Sequence, residues 1–239
     1  MKRLALALVG ILAFAGISYA QHIGPSVPPM NKQGNIATPN LGIGYSYYQA
    51  EFENDDDDDI ADVEGNQIYA HFGAVFGDVS TPSYEIYARI GATDIEDDED
   101  FDSDFEPMYA VGLKGPFYQG ETFGWGGVLQ GLYVDSFDDS FVIDGEEVDI
   151  SLEEYWEVEL AFPIHAKINN GLVYLGPLIY AATTDVVVGD NSDLEGDIDE
   201  DNNLGAVGGV ALRFDNVSVE VEAKYRSDFS AGAFVSFTF

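Results

Sequence analysis

Apolar and polar residues alternate with a period of two over most of the chain after residue 40. In residues 217–226 one row consists of valine, alanine and tyrosine, while the other holds serine, glutamate, lysine and arginine. Residues 66–76 and 84–93 repeat the alternation. Side chains on a β-strand point to opposite faces in turn, whereas a helix repeats every 3.6 residues. The chain is therefore predicted to be all-β, with strands that have one apolar and one polar face.

Ten segments carry this alternation, and an even number lets both chain ends lie on the same side of a closed barrel. The segments are residues 40–51, 65–76, 83–93, 107–117, 122–135, 152–168, 171–184, 203–214, 217–226 and 230–239. Tight turns alternate with long loops, and the tight turns lie at residues 77–82, 118–121, 169–171 and 215–216. Outer-membrane barrels have this asymmetry, with short periplasmic turns and longer external loops. The prediction is a transmembrane antiparallel up-and-down β-barrel of about ten strands, with eight as the alternative count.

Composition divides the chain into three segments. Residues 1–20 begin with a basic pair, continue as an apolar run and end in a small residue, which is typical of a signal peptide. Residues 21–40 are rich in Pro, Gly and Asn and lack periodicity, so they are predicted to form a flexible periplasmic leader. Residues 41–239 then form the barrel, with both chain ends in the periplasm. The chain contains no cysteine, so neither a disulfide nor a cysteine-linked lipid is expected.

Excess negative charge is confined to four predicted loops. Residues 51–64, 94–106 and 135–154 carry nine carboxylates each, and residues 185–201 carry eight. These loops hold 35 of the 44 acidic residues and neither Lys nor Arg, so the nine acids elsewhere match the nine basic residues. The net charge of −35 thus equals the charge of the segments predicted to be extracellular, and the rest of the chain is formally neutral. Nucleic acid is excluded as a partner, because phosphate binding depends on clustered Lys and Arg.

The alternation alone leaves open which face points outward. A soluble lipocalin-like binding barrel places its apolar row inside, whereas a membrane barrel places it toward lipid. The polar rows carry glycines, which weaken an exposed strand but make room for large neighbours inside a barrel. These are Gly73, Gly91, Gly112, Gly205, Gly209 and Gly232. Aromatic residues of the apolar rows fall at two levels, as at the two bilayer interfaces. The predicted membrane girdle consists of Trp125, Trp156, Tyr109, Tyr133, Phe214 and Phe237.

The end of the chain carries a family resemblance. Residues 231–239 alternate apolar with small or polar residues and end in Phe239. This ending resembles the terminal strand of bacterial outer-membrane barrels, and the loop layout resembles the small OmpX-like and opacity-protein barrels, which have eight strands. The resemblance implies that Phe239 is an insertion signal for the barrel-insertion machinery. It also implies a bacterial outer-membrane location, in contact with lipid and lipopolysaccharide.

Charged residues of both signs occupy the polar rows and are predicted to face the lumen. The predicted lumen ionic network consists of Glu85, Arg89, Lys114, Glu157, Glu159, His165, Lys167, Arg213, Glu220, Glu222, Lys224 and Arg226. Mixed signs favour pairing, and a ten-stranded barrel is only slightly wider than the eight-stranded kind that side chains fill. Two interpretations stay open. One is a closed lumen filled by salt bridges, and the other is a small cation-selective pore with an acidic vestibule.

The acidic loops indicate weak cation binding. Residues 191–202 approach the spacing of an EF-hand loop, but Asn202 stands where a bidentate glutamate belongs. Loosely bound Ca²⁺ or Mg²⁺ is therefore expected, with no resident cofactor. The candidate residues are Asp55, Asp57, Asp59, Asp98, Asp100, Asp102, Asp144, Glu146, Asp193, Glu195 and Asp197. Residues 140–152 differ from the other loops, because apolar stretches flank Asp144-Gly145 and predict a β-hairpin above the membrane.

An enzyme is not expected. General acid–base chemistry near neutral pH usually needs a histidine or a strongly shifted carboxylate, and the acidic loops contain no His, Cys or Lys. The three histidines, His22, His71 and His165, all lie elsewhere. The chain is predicted to be a structural or surface-interaction protein whose acidic loops attract divalent cations or a basic partner. The cation-selective pore and the soluble binding barrel are the alternatives.

Overall fold

The computed structural model describes residues 22–28, 37–54, 57–77, 83–97, 103–143, 146–188, 195–199, 204–226 and 229–239. Thirteen strands lie within these ranges. They are β1 (Ala37–Asn54), β2 (Asp57–Phe76), β3 (Tyr84–Thr93), β4 (Glu96–Asp97), β5 (Glu106–Gln119), β6 (Phe123–Ile143), β7 (Glu146–Ala161), β8 (Ile164–Ile168), β9 (Gly171–Val188), β10 (Glu195–Asp199), β11 (Leu204–Phe214), β12 (Val217–Tyr225) and β13 (Phe229–Thr238). Among the described residues, no helix has the length and apolar character needed to cross a bilayer.

The strands close into a single antiparallel barrel. The ring runs β1-β13-β12-β11-β9-β7-β6-β5-β3-β2 and returns to β1, because β1 pairs with both β13 and β2. We call each of the ten positions in this ring a stave. Three staves consist of two strands each: β4 continues β3 along β2, β8 continues β7 along β9, and β10 extends β11 along β9. The predicted closed ten-stranded barrel is confirmed, and the alternative count of eight is wrong.

The two ends of the barrel differ in their connections. At one end, which we call the short-turn end, two-residue turns join β8 to β9 and β11 to β12. Asn169 and Asp215 have positive φ angles of 44° and 50° there, a conformation that Asn and Asp tolerate better than most residues. At the opposite end, which we call the hairpin end, β6 and β7 continue beyond the ring as a paired hairpin up to Ile143 and Glu146. This is the hairpin predicted at residues 140–152.

The predicted loop at residues 51–64 is a second hairpin. Strand β1 runs to Asn54 and β2 starts at Asp57, so that Glu51 pairs with Asp62 and Phe52 with Ala61. A run of acidic residues carries no apolar alternation, and the sequence pattern therefore indicates a loop. Every non-proline residue can nevertheless join a ladder through its backbone N–H and C=O groups.

The apolar row of each strand points outward. Ile43, Ile68, Val111 and Leu175 are 59 to 68% exposed, whereas polar residues of the opposite row, such as Gln67, are buried. This arrangement is the reverse of a lipocalin-like barrel, so the soluble alternative is wrong. On the interior face, a Cβ atom on Gly112 would overlap the Tyr87 ring, which explains the need for glycine there.

The amino-terminal segment departs from the predicted leader. Residues 22–28 lie inside the barrel, where Ile23 and Ser26 are completely buried, and β1 already begins at Ala37 rather than after residue 40. Pro and Gly in this stretch suppress regular secondary structure, which the sequence pattern indicates correctly. They do not prevent an irregular segment from packing against the inner wall.

Candidate functional site

The barrel interior is a densely charged lumen. Ten of the predicted network residues are buried there: Glu85, Arg89, Lys114, Glu157, Glu159, His165, Glu220, Glu222, Lys224 and Arg226. Arg213 is half-buried near the short-turn end. Lys167 differs from the prediction, because it is exposed and its Nζ donates a hydrogen bond to the Gly120 carbonyl at 3.0 Å. Lys167 lies two residues from the buried His165 on β8, so the alternation places it on the inner face. Lys167 is nevertheless so close to the end of the strand that its long side chain reaches solvent.

One cluster of ionic contacts surrounds Glu85, toward the short-turn end. Its carboxylate lies 3.4 Å from Lys114 Nζ and 3.0 Å from His71 Nε2. Asn40 Nδ2 donates to the same carboxylate at 2.8 Å. Lys114 is also the cross-strand neighbour of Glu85 in the β3–β5 ladder, so the register of the sheet creates the pair. A buried charge is tolerated when it is paired and hydrogen-bonded in this way.

A second cluster lies nearer the hairpin end. Lys224 Nζ contacts both oxygens of Glu159, at 2.7 and 2.9 Å. Arg226 Nη1 lies 2.7 Å from Glu157 Oε2 and 3.5 Å from Glu159 Oε1, which joins the two pairs into one network. Gln130 donates a further hydrogen bond to Glu159. Strands β6, β7 and β12 are thus linked across the barrel axis through side chains.

Tyrosine rings fill the space between the ionic clusters. The Arg89 guanidinium lies between the rings of Tyr69 and Tyr87, 4.9 and 4.7 Å from their centroids. The Arg226 guanidinium lies 3.6 Å from the Tyr180 centroid. Such cation–π contacts are strongest when desolvated, as they are in this interior. The sequence alternation puts Tyr69 and Tyr87 in the polar rows but does not reveal their stacking on arginine.

Residues 22–28 bind to the wall of this lumen. His22 Nε2 lies 3.0 Å from Glu220 Oε2, and the Ile23 and Gly24 N–H groups donate to Glu222 at 2.6 and 2.7 Å. Arg213 donates to the Val27 carbonyl. These contacts escape sequence analysis, because they join positions almost 200 residues apart.

The three histidines all face the interior. His22 contacts Glu220 and stacks on Phe234, and His71 contacts Glu85. His165 is buried on β8, and neither of its ring nitrogens hydrogen-bonds to the described residues. The predicted network includes His165 but omits His22 and His71. His71 could have been predicted to face the interior, because it lies two residues from Tyr69 on the same strand and therefore in the same row.

The predicted cation-binding residues lie at the hairpin end or outside the described part of the chain. Asp55, Asp98, Asp100, Asp102, Asp144 and Asp193 fall outside it. Asp57 and Asp59 lie at the start of β2, Glu146 starts β7, and Glu195 and Asp197 lie in β10. Within the described ranges, no group of three or more His, Cys or acidic residues has the geometry of a metal site.

Aromatic side chains form two levels on the outer surface. All six predicted girdle residues are exposed: Trp125, Trp156, Tyr109, Tyr133, Phe214 and Phe237. Tyr109, Tyr133 and Trp156 are consecutive cross-strand partners toward the hairpin end. Near the short-turn end, Trp125 contacts Phe117 with ring centroids 4.9 Å apart.

The carboxyl-terminal strand closes the ring. Strand β13 pairs with β1 and β12, and the Phe239 N–H donates to the Pro39 carbonyl at 3.1 Å. The Phe239 side chain points outward and is 57% exposed. This is the chain end that resembles the terminal strand of outer-membrane barrels.

Comparison with known proteins reveals similarity of fold only. No protein-family model matches the chain, and no curated protein matches its sequence. The transport unit of the autotransporter AIDA-I from Escherichia coli is similar over 98% of this chain and 97% of that chain, with a TM-score of 0.50 and 10% identity. The translocator domain of autotransporter NalP from Neisseria meningitidis is similar over 86% of this chain and 90% of that chain, with a TM-score of 0.51 and 8% identity. The fold is thus that of outer-membrane β-barrels.

Proposed function

We propose that the chain is a non-enzymatic outer-membrane barrel, a structural or surface-interaction protein that presents acidic hairpins to divalent cations or a basic partner. One observation carries the proposal: charge is separated along the barrel axis. The lumen holds five glutamates and five lysines and arginines, whereas the acidic segments toward the hairpin end contain neither Lys nor Arg. An interior that is neutral and paired serves stability, and an unpaired acidic end attracts cations.

The orientation in the membrane follows from the connections. In outer-membrane barrels the short turns face the periplasm and the longer connections face outward. The short-turn end of this barrel would then be periplasmic, together with Phe239, and the hairpins of β1–β2 and β6–β7 would lie at the cell surface. Lipid and lipopolysaccharide would surround the exposed apolar rows, after insertion by the barrel-insertion machinery.

Carboxylates crowd one another at the hairpin end. Glu106 begins β5, beyond the aromatic level marked by Tyr109. Burial raises the pKa of Glu106, and the nearby carboxylates Asp138, Asp104 and Asp135 raise it further. A nearby cation would stabilise the ionised form of a carboxyl group in such surroundings. Because these groups form no closed cage, we expect loose attraction of Ca²⁺ or Mg²⁺ rather than a specific site.

The ion pairs of the lumen favour a closed barrel over a cation-selective pore. A conducting path needs continuous water along the axis, and the two ionic clusters, their tyrosines and the buried residues 22–28 occupy the lumen together. We expect the folded protein to produce no steady conductance in planar lipid bilayers. Steady cation-selective steps would instead support the pore.

Calcium titration of the barrel folded in detergent tests the surface proposal. The acidic end is altered in Glu106→Gln/Asp138→Asn, and the matched control Glu121→Gln/Asp215→Asn removes two exposed acids at the short-turn end. Diffuse attraction predicts weaker binding in the first variant and unchanged binding in the control. Binding should also weaken steeply with salt, since the Debye length falls from about 30 Å at 0.01 M to about 8 Å at 0.15 M. Equal binding by both variants, or no dependence on salt, would contradict the proposal.

A further inference from the structure

A short irregular segment occupies the lumen without belonging to the wall. Residues 22–28 form no strand, yet Ile23 and Ser26 are completely buried, and His22 and Val27 are 2 and 5% exposed. Ile23 packs in an apolar cluster with Val128, Ala161, Tyr174, Leu178, Tyr180 and Val207. Val27 packs against Leu172 and Ala211. The inner wall thus provides apolar contacts for both ends of the segment.

The wall also provides a carboxylate for the backbone of the segment. Glu222 Oε1 accepts from the Ile23 N–H at 2.6 Å, and Oε2 accepts from the Gly24 N–H at 2.7 Å. The Tyr174 hydroxyl, which belongs to the wall, donates to Oε2 at 2.8 Å. Removal of the segment would take two of these three donors from a buried carboxylate. A buried carboxylate deprived of its donors is costly unless water enters to replace them.

Contacts at both ends fix the direction of the segment. At the start of the segment, His22 stacks on Phe234 with ring centroids 5.4 Å apart and contacts Glu220. At the other end, Arg213 near the short-turn end binds the Val27 carbonyl. Glu222, which accepts from Ile23 and Gly24, lies farther along β12 from the short-turn end than Arg213 lies along β11. The segment therefore runs along the axis from the short-turn end toward mid-barrel. Pro25 and Pro28 restrict its backbone, which lowers the entropy lost when it is held in one conformation.

We propose that residues 22–28 are a plug, and that the lumen is a peptide-binding site whose occupant is this segment of the same chain. Glu222 binds the backbone of the plug, and Glu220 and Phe234 bind His22. Arg213 binds the Val27 carbonyl, where the plug approaches the short-turn end. Displacement of the plug exposes Glu220 and Glu222 to water and opens a narrow path from that end. This inference goes beyond the proposed function, which concerns the hairpin end.

Gly24→Val is the variant that separates the plug from the barrel. Gly24 has a φ of +72°, a conformation that a β-branched residue strongly disfavours, and a Cβ atom there would lie 2.8 Å from Glu220 Oε2. The substitution changes no residue of the barrel wall. Ser26→Ala is the matched control, because its buried hydroxyl forms no hydrogen bond with the described residues.

Cysteine labelling reports the position of the plug. The chain contains no cysteine, so Val27→Cys gives a single thiol. In the processed chain folded in detergent, a water-soluble maleimide should label Cys at position 27 slowly, and equally slowly with Ser26→Ala. With Gly24→Val, labelling should accelerate about tenfold or more, as expected when hydrogen bonds to a charged group are lost. Fast labelling without Gly24→Val would overturn the proposal.

Peptide addition tests whether the lumen is a binding site. A variant lacking residues 22–28 keeps every strand, and circular dichroism verifies that it is folded. We expect it to show conductance steps or faster solute entry into vesicles, and a synthetic peptide of residues 21–28 should suppress them. The same peptide carrying Gly24→Val should not. No gain in permeability, or equal action of both peptides, would overturn the proposal.

Calcium binding by the variant that lacks residues 22–28 should equal that of the intact chain. This measurement separates failure of the plug proposal from failure of the proposed surface function.

Discussion

Lys224 shows how much a single interior charge contributes to this barrel. Its Nζ lies 2.7 and 2.9 Å from the two oxygens of Glu159, and both side chains are buried. Lys224→Met retains the aliphatic part of the side chain but removes the positive charge that neutralises the buried Glu159 carboxylate. We expect a loss of about 3–5 kcal/mol in the free energy of unfolding, as for other buried pairs that lose one partner. Urea unfolding in detergent measures it.

Lys167→Met is the matched control for this prediction. Lys167 is exposed and binds only a turn carbonyl in the described part of the chain, so its replacement should cost no more than about 1 kcal/mol. Equal destabilisation by the two variants would show that the interior pairs are not what stabilises the lumen.

At the scale of strands, the β6–β7 hairpin is separable from the ring. Below the hairpin, β6 and β7 pair through Tyr133 and Trp156 within the wall. Deleting residues 139–150 and joining the ends through Asn-Gly should therefore leave the barrel folded, because that dipeptide suits a two-residue hairpin turn. We expect the unfolding midpoint to remain close to that of the intact chain and calcium binding to fall, since five acidic residues are lost. A variant that no longer folds would show that the hairpin nucleates the barrel.

Strands were predictable from the sequence where one face is apolar, and less so elsewhere. The period-two rows identified all ten staves and most interior charges, and the glycines of the polar rows with the two aromatic levels gave the outward direction of the apolar face. The β1–β2 hairpin was missed because its run of acidic residues shows no apolar alternation in the sequence. The plug was missed because its contacts, such as Ile23 with Glu222, depend on long-range geometry and carry no local period. The alternation also indicates which residues face inward but not which of them pair, so the contact between Glu85 and His71 was not predicted.

At the scale of the whole molecule, the closed wall explains how so acidic a chain can have a stable interior. Every stave is paired on both sides, so the described part of the wall leaves no open sheet edge in the apolar band. Glycines on the inner rows let tyrosines and arginines pack within a narrow ring. The net negative charge lies at the hairpin end, where water and counterions screen it.

The two tryptophans test whether the barrel spans a bilayer. Trp125 lies toward the short-turn end and Trp156 toward the hairpin end, and both are 44% exposed on the outer surface. If each marks one interface, both should be quenched more by lipids brominated near the headgroup than by lipids brominated near the chain ends. Single-tryptophan variants Trp156→Phe and Trp125→Phe allow each to be measured separately in vesicles. Strong quenching of one tryptophan with none of the other would mean that the barrel contacts the bilayer at one end only. The outward apolar rows would then need a different partner along the rest of the wall.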